Sequence, residues 1–148
     1  MIRVMFICHG NICRSPMAEF IFKDMLRRRR IESGFFVASC ATSREEIGNP
    51  VYPPARRELA RHGISCREKR AVQLTPRDAE EYDWLLCMDA QNLRNARRIA
   101  GSSDKLRLLL SFAGDGADIA DPWYFGNFDR TYDDIVRGCE AFLKYLGF

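Results

Sequence analysis

Apart from Arg3, residues 2–7 (IRVMFI) are apolar and β-favouring, and the next nine, CHGNICRSP, cannot extend the run. Beyond them Ala18, Ile21, Phe22, Met25 and Leu26 recur at spacings of three and four. The short apolar run reads as a strand buried on both faces, and the later spacing as a helix with one apolar face. Strand, tight polar loop and helix in that order leave few folds to choose from. Ser15 is the expected cap of the helix, and Pro16 suits its first turn.

The alternation continues to the C-terminus. GFFVASC (34–40) reads as a second strand, and a helix near 54–62 follows, with His62 at its end and Gly63 beyond. Thr75-Pro76-Arg77-Asp78 is a capping box opening a short helix. DWLLCM (83–88) reads as a third strand, Asp89 as the cap of a helix running to about Ala100, and LRLLL (106–110) as a fourth strand. Tyr132, Ile135, Val136, Cys139, Phe142, Leu143 and Leu146 keep helical spacing to the end. The pattern predicts an α/β fold: one three-layer domain over residues 1–148, with a four-stranded parallel sheet flanked by helices. In such sheets ligands bind beyond the carboxyl ends of the strands, where strand order reverses. CHGNICRS occupies that place after the first strand, so the predicted phosphate-binding loop joins the first strand to the first helix.

A chain of 148 residues can bury a sizeable core without staples or metal. Its 23 basic and 20 acidic side chains leave a net charge of +3, too little to imply a nucleic-acid partner. The basic block Arg27–Arg30 reads as the solvated end of a helix. The N-terminal apolar run is too short for a signal-peptide core or a membrane span. A cytoplasmic monomer is expected, with leaderless export as the other route. Cys8, Cys13, Cys40, Cys66, Cys87 and Cys139 then read as free thiols, most of them small core residues.

Backbone N–H groups of a loop entering a helix converge with the positive end of the helix dipole, and together they make an anion site suited to phosphate. Arg14 adds a planar guanidinium that grips two oxygens, and Ser15 adds a hydroxyl. The ATP-binding pattern G-x-x-x-x-G-K-[ST] is absent. Cys8 stands at the mouth of the loop, where these donors favour a thiolate able to attack phosphorus opposite a leaving group. Arg14 and the amides then neutralise the equatorial oxygens, so neither metal nor cofactor is called for. Cys13 is a second thiol in the same curled loop. It is expected to couple reversibly with Cys8 under mild oxidant.

An ester oxygen leaves well only if it gains a proton, so a general acid is required. The segment 111–129, SFAGDGADIADPWYFGNFD, lacks periodicity and carries Asp115, Asp118 and Asp121. The spacing is not that of an EF-hand. Asp121 is the best candidate, because Pro122 stiffens the backbone beside it and Trp123 and Tyr124 can desolvate it. The same two aromatics can flank an aryl substrate. Turn or cap roles suit Asp115 and Asp118.

VMFICHGNICRSPMAE together with DPWY, and LCMD between them, resembles the low-molecular-weight protein tyrosine phosphatase family over the whole chain. The resemblance implies a four-stranded parallel α/β fold, a phosphocysteine intermediate and no metal. It makes Cys8 the nucleophile, Arg14 the phosphate ligand and Asp121 the acid and then the base. His9, Gly10, Asn11, Ile12, Cys13, Arg14 and Ser15, with Trp123 and Tyr124, form the substrate site. Asn11 holds the loop with Ser39 among its partners, and Ser15 hydrogen-bonds the thiolate.

Three positions depart from the family pattern. EKRA (68–71) stands where many members read H-x-A-R, Glu45 where tyrosine-directed members often carry an aromatic wall, and His9 where the loop is often apolar. The partner implied is a phosphotyrosine-containing protein or a small aryl phosphate, not nucleic acid or membrane. Rival chemistries on this fold are protein arginine phosphatase, which typically has threonine where Ile12 stands, and arsenate reductase. The latter needs a cysteine relay that Cys87 lacks a nearby partner to form. A reading of another class is a non-catalytic oxyanion-binding module, which would need neither Cys8 nor Asp121.

Overall fold

A computed structural model describes residues 1–114 and 116–148. Four strands, β1 (Ile2–Cys8), β2 (Phe35–Ala41), β3 (Trp84–Cys87) and β4 (Leu106–Leu108), form one parallel sheet in the order β2-β1-β3-β4. Helices α1 (Arg14–Arg28), α2 (Pro53–Arg61), α3 (Pro76–Glu81), α4 (Ala90–Ala100), α5 (Pro122–Phe125) and α6 (Phe128–Tyr145) connect and cover it. The chain goes from β1 outward to β2 and then back across to β3. Strand order therefore reverses beside β1, and the loop that leaves Cys8 opens at that reversal.

Alternation along β1 feeds two cores. Val4, Phe6 and Cys8 face the layer of α1, α2 and α6, packing with Phe22, Leu59, Ile135 and Phe142. Met5 and Ile7 face the thinner layer of α3 and α4, with Leu85, Cys87, Leu93 and Ala96. Both faces of the central strand are dry, which is why the run could be continuous rather than alternating. Phe6, Phe22 and Phe142 are fully buried, each stabilising the fold by about 1.5–3 kcal/mol through burial alone. At Gly138 an added Cβ would lie 2.7 Å from Leu109 Cγ, so glycine is what lets α6 approach the segment after β4 so closely.

The expected capping box at Thr75 and the expected cap at Asp89 both form, and the second is a capping box as well. Thr75 caps α3 and Asp89 caps α4, each with reciprocal bonds to the third helical residue. Two expectations are corrected. Ser15 does not cap α1: the helix begins two residues earlier, Cys13 takes the cap position, and the Ser15 hydroxyl turns inward. The fourth strand stops at Leu108, because Leu109–Ala113 winds into a 3₁₀ turn that buries Leu109 and Leu110 against α6. His62 ends α2 as expected and stacks on Tyr132 at 3.6 Å. Arg27 and Arg28 are exposed and pair with Asp24, as a solvated helix end should. All six cysteines are free and buried. Among the described residues no helix is long and apolar enough to cross a membrane.

Candidate active site

Cys8 ends β1 with 3% of its surface exposed. Its sulfur accepts the Asn11 backbone N–H at 3.3 Å and lies 2.9 Å from the Ser15 hydroxyl. The Ser15 oxygen accepts from the Asn11 side-chain amide at 2.7 Å and lies 3.4 Å from the Cys40 carbonyl, to which it can donate. A Cys8 thiolate has no hydrogen to give, so in that form the Ser15 hydroxyl donates to it and two donors converge on Sγ.

The loop is held in that curl by Asn11, whose backbone sits at φ 59°, a left-handed conformation that asparagine tolerates better than most residues. Its amide is fully used. It donates to Ser15 and, at 3.0 Å, to Ser39, and its oxygen accepts the Val72 N–H at 3.1 Å. Ser39 passes its own hydrogen to Glu19 at 2.6 Å. Glu19 is 5% exposed and is flanked by Lys23 at 2.6 Å and Lys69 at 3.7 Å, while Lys69 also donates to the Ser39 carbonyl at 2.8 Å. Burial pulls the Lys69 ammonium below its ordinary value, and Glu19 opposes that shift. The sequence placed EKRA at the support position. Within it Lys69, rather than Glu68, reaches the network. Glu19 was missed because it lies on α1 among apolar neighbours, with nothing local to mark it.

Arg14 opens α1 and is 3% exposed. One guanidinium nitrogen donates to Asp89 at 2.7 Å and to the Ile119 carbonyl at 2.8 Å, and the other lies 3.5 Å from Asp121. Burial works against its charge, but Cys8, Asp89 and Asp121 outweigh it and hold its pKa above the ordinary value. Asp89 was read as a helix cap alone. It uses one oxygen for the cap at Asn92 and the other for Arg14, a second duty that no local pattern reveals.

Asp121 arrives from the opposite side. One oxygen caps α5 through the Trp123 N–H at 3.0 Å, and the other faces Arg14. Its side chain stays 27% exposed, so Trp123 and Tyr124 do not desolvate it as expected. They are themselves 52% and 78% exposed, and Trp123 leans on Tyr52 at 4.6 Å. Asp118 accepts the Ala90 N–H at 3.0 Å, so it serves the start of α4 from 28 residues away rather than a turn of its own, and Asp115 lies outside the described residues.

Between these groups opens a cavity of about 250 Å³, its floor made by Cys8, Cys13 and Arg14. His9, Gly10, Ile12, Trp123 and Tyr124 line it with Asp121, as the sequence suggested, together with Glu45 and Glu46. Asn11 and Ser15 do not line it: their side chains are buried behind the loop and act on its shape. The Cys13 thiol is pushed up by burial first and by the charges of Cys8 and Asp121 next. Cys87, more deeply buried, is pushed up to about 12.

A sulfur on a donor-lined floor, a buried guanidinium beside it and a carboxylate across the opening suit transfer of a phosphoryl group. Known proteins agree. Residues 3–147 match the family model described as low molecular weight phosphotyrosine protein phosphatase. The chain belongs to that family. It is 38% identical over 150 residues to the low molecular weight protein-tyrosine-phosphatase YfkJ of Bacillus subtilis, across 99% of this chain and 96% of that one. The crystal structure of YfkJ superposes with a TM-score of 0.94, covering 99% and 94% of the two chains at 37% identity. The human low molecular weight phosphotyrosine protein phosphatase is 38% identical over 148 residues, 95% of this chain and 93% of its own. The Drosophila arginine phosphatase has the same fold, with a TM-score of 0.89, 29% identity and coverage of 98% of each chain.

Proposed function

We infer that this member of the family is a protein-tyrosine phosphatase that hydrolyses phosphotyrosine and other aryl phosphate monoesters through a phosphocysteine. The observation that carries the reading is the facing pair across the cavity: Cys8 Sγ beneath its two donors, and Asp121 3.5 Å from the guanidinium that flanks it.

In the first step the Cys8 sulfur attacks phosphorus and the bond to the aryl oxygen breaks, with Asp121 giving that oxygen its proton. Arg14 and the loop amides hold the equatorial oxygens while charge shifts toward the leaving group. Ser15, donating to Sγ, steadies the sulfur both before attack and as it departs. In the second step water attacks the phosphocysteine, Asp121 takes the water's proton, and the sulfur–phosphorus bond breaks to release inorganic phosphate. Trp123 and Tyr124 form the wall for the aryl ring, and Ile12, with no hydroxyl to offer, supports an oxygen ester over phosphoarginine. Under peroxide, Cys8 becomes a sulfenic acid with loss of water, and the Cys13 thiol displaces a second water to close a disulfide.

The chain is taken to work as one monomeric domain over residues 1–148, in the cytoplasm, with neither nucleic acid nor membrane as partner. The test is a steady-state comparison of phosphotyrosine, phosphoarginine and arsenate as substrates, with vanadate as inhibitor. Phosphotyrosine turnover that vanadate blocks and Cys8→Ser abolishes is expected. Full turnover in Cys8→Ser would rule the mechanism out, and binding of phosphate without turnover of any substrate would leave an oxyanion-binding module.

A further inference from the structure

The protein as a whole is a cation, with a net charge of +3, yet the mouth of its phosphate pocket is acidic. Glu45, Glu46 and Asp121 line the cavity against one guanidinium, Arg14, which lies at the floor and is already held by Asp89. Asp121 is committed to the proton transfer. Glu45 and Glu46 have no part in it. They come from the loop after β2, and structure rather than chance sets their position. The Glu45 carboxylate is 2.9 Å from His9 on the phosphate loop. Glu46 accepts from the Asn49 side chain at 2.7 Å, and its stem lies so close to Gly10 that an added Cβ there would touch it at 3.4 Å. Glu46 also contributes to the upward push on the Cys13 thiol, so its charge is felt inside the loop.

Two carboxylates at the rim repel a dianionic substrate unless something near the phosphate compensates. The His9 ring, half exposed, meets Glu45 as a hydrogen-bond partner. Arg44, next in the chain, is turned away to Gln73 at 3.1 Å. The compensating charge must therefore come with the substrate. Resting on the phosphatase reading above, we propose that Glu45 and Glu46 select phosphotyrosine peptides carrying lysine or arginine beside the phosphotyrosine, and disfavour peptides with acidic neighbours. Trp123 and Tyr124 line the same cavity from a different segment of the chain, so the phosphotyrosine ring and a neighbouring cationic side chain have different residues to meet.

The test uses three phosphotyrosine peptides identical except for arginine, glutamine or glutamate flanking the phosphotyrosine, with full-length protein at low and high salt. Exposed pairs of this kind change affinity by a few-fold each, so kcat/KM for the arginine peptide should exceed that for the glutamate peptide by roughly ten-fold. The glutamine peptide should fall between, and high salt should shrink the spread, because exposed charges are screened. In Glu45→Gln/Glu46→Gln the arginine-to-glutamate ratio should drop to about three-fold or less. Equal turnover of all three peptides overturns the proposal and leaves the phosphatase reading standing. A wild-type preference that survives unchanged in the double variant overturns the assignment to these carboxylates. Turnover of none of the peptides overturns both.

Discussion

The loop of residues 8–15 and the segment 116–129 both leave the carboxyl edge of the sheet, and they are built by different physics. In the first, Cys8, Asn11, Arg14 and Ser15 are all at most 3% exposed, and each polar atom described above has its partner. A buried network of this kind costs heavily to leave unsatisfied, so it tolerates one geometry. In the second, Ile119 is fully buried and pins the segment, while Trp123, Tyr124 and Phe125 stand 52%, 78% and 76% exposed. One side of the site is thus set by the same bonds that stabilise the fold, and the other is held through Asp118, Ile119 and Pro122 while its aromatic end stays exposed. Changes in the first should disturb stability and chemistry together. Changes in the second should disturb chemistry alone.

Arg14→Lys is the severest trial of that contrast. An ammonium cannot reproduce the planar fork that meets Asp89, the Ile119 carbonyl and the substrate oxygens, so kcat for an aryl phosphate should fall on the order of 10³-fold. Thermal stability should fall with it, which differential scanning calorimetry would register; an unchanged Tm would break the link between the buried network and the fold. Glu19→Gln comes next. It leaves Lys69 buried beside a neutral group and should cost about 3 kcal/mol by chemical denaturation at neutral pH. The sign with pH follows from Lys69. Its folded pKa is already lowered, chiefly by burial, and losing Glu19 lowers it further from the ordinary value of 10.5. The unfolded chain then binds more protons over that window, so the deficit is full at neutral pH and fades as pH rises toward 10.5. A deficit that grows with pH would refute the account.

Asp121→Asn tests the other half. It removes the proposed proton donor and keeps the size and the cap on Trp123, so kcat should fall about 10²-fold while the Tm stays within a few degrees. Trp123→Ala has the smallest expected effect. The ring is half exposed, so stability should change by less than about 0.5 kcal/mol, whereas KM for an aryl phosphate should rise roughly three-fold to ten-fold. Loss of folding stability in either variant would erase the distinction between the two regions.

Much of the first region was legible because it is local. Cys8, Asn11, Arg14 and Ser15 lie within eight consecutive positions, and strand, loop and helix announce themselves by a change of period. Less of the second was legible. Asp121 was singled out for its neighbours Pro122 and Trp123, and its place opposite Cys8 was inferred from chain order. The expected desolvation by Trp123 and Tyr124 failed because Trp123 leans on Tyr52 and both rings stay largely exposed, a fact of the surface and not of the sequence.

Sequence alone determined the strands' burial, the capping box at Thr75 and the cap at Asp89, and the spacing that puts a cysteine and an arginine on one loop. These depend on contacts between near neighbours, and near neighbours leave periodic traces. Tertiary structure decided that Asp89 grips Arg14 across 75 residues, that Glu19 and Lys69 brace Asn11 through Ser39, and that Glu45 and Glu46 close on the pocket's mouth. Those pairings come from where the sheet sets its loops down, and charges brought together by folding leave no period behind in the chain.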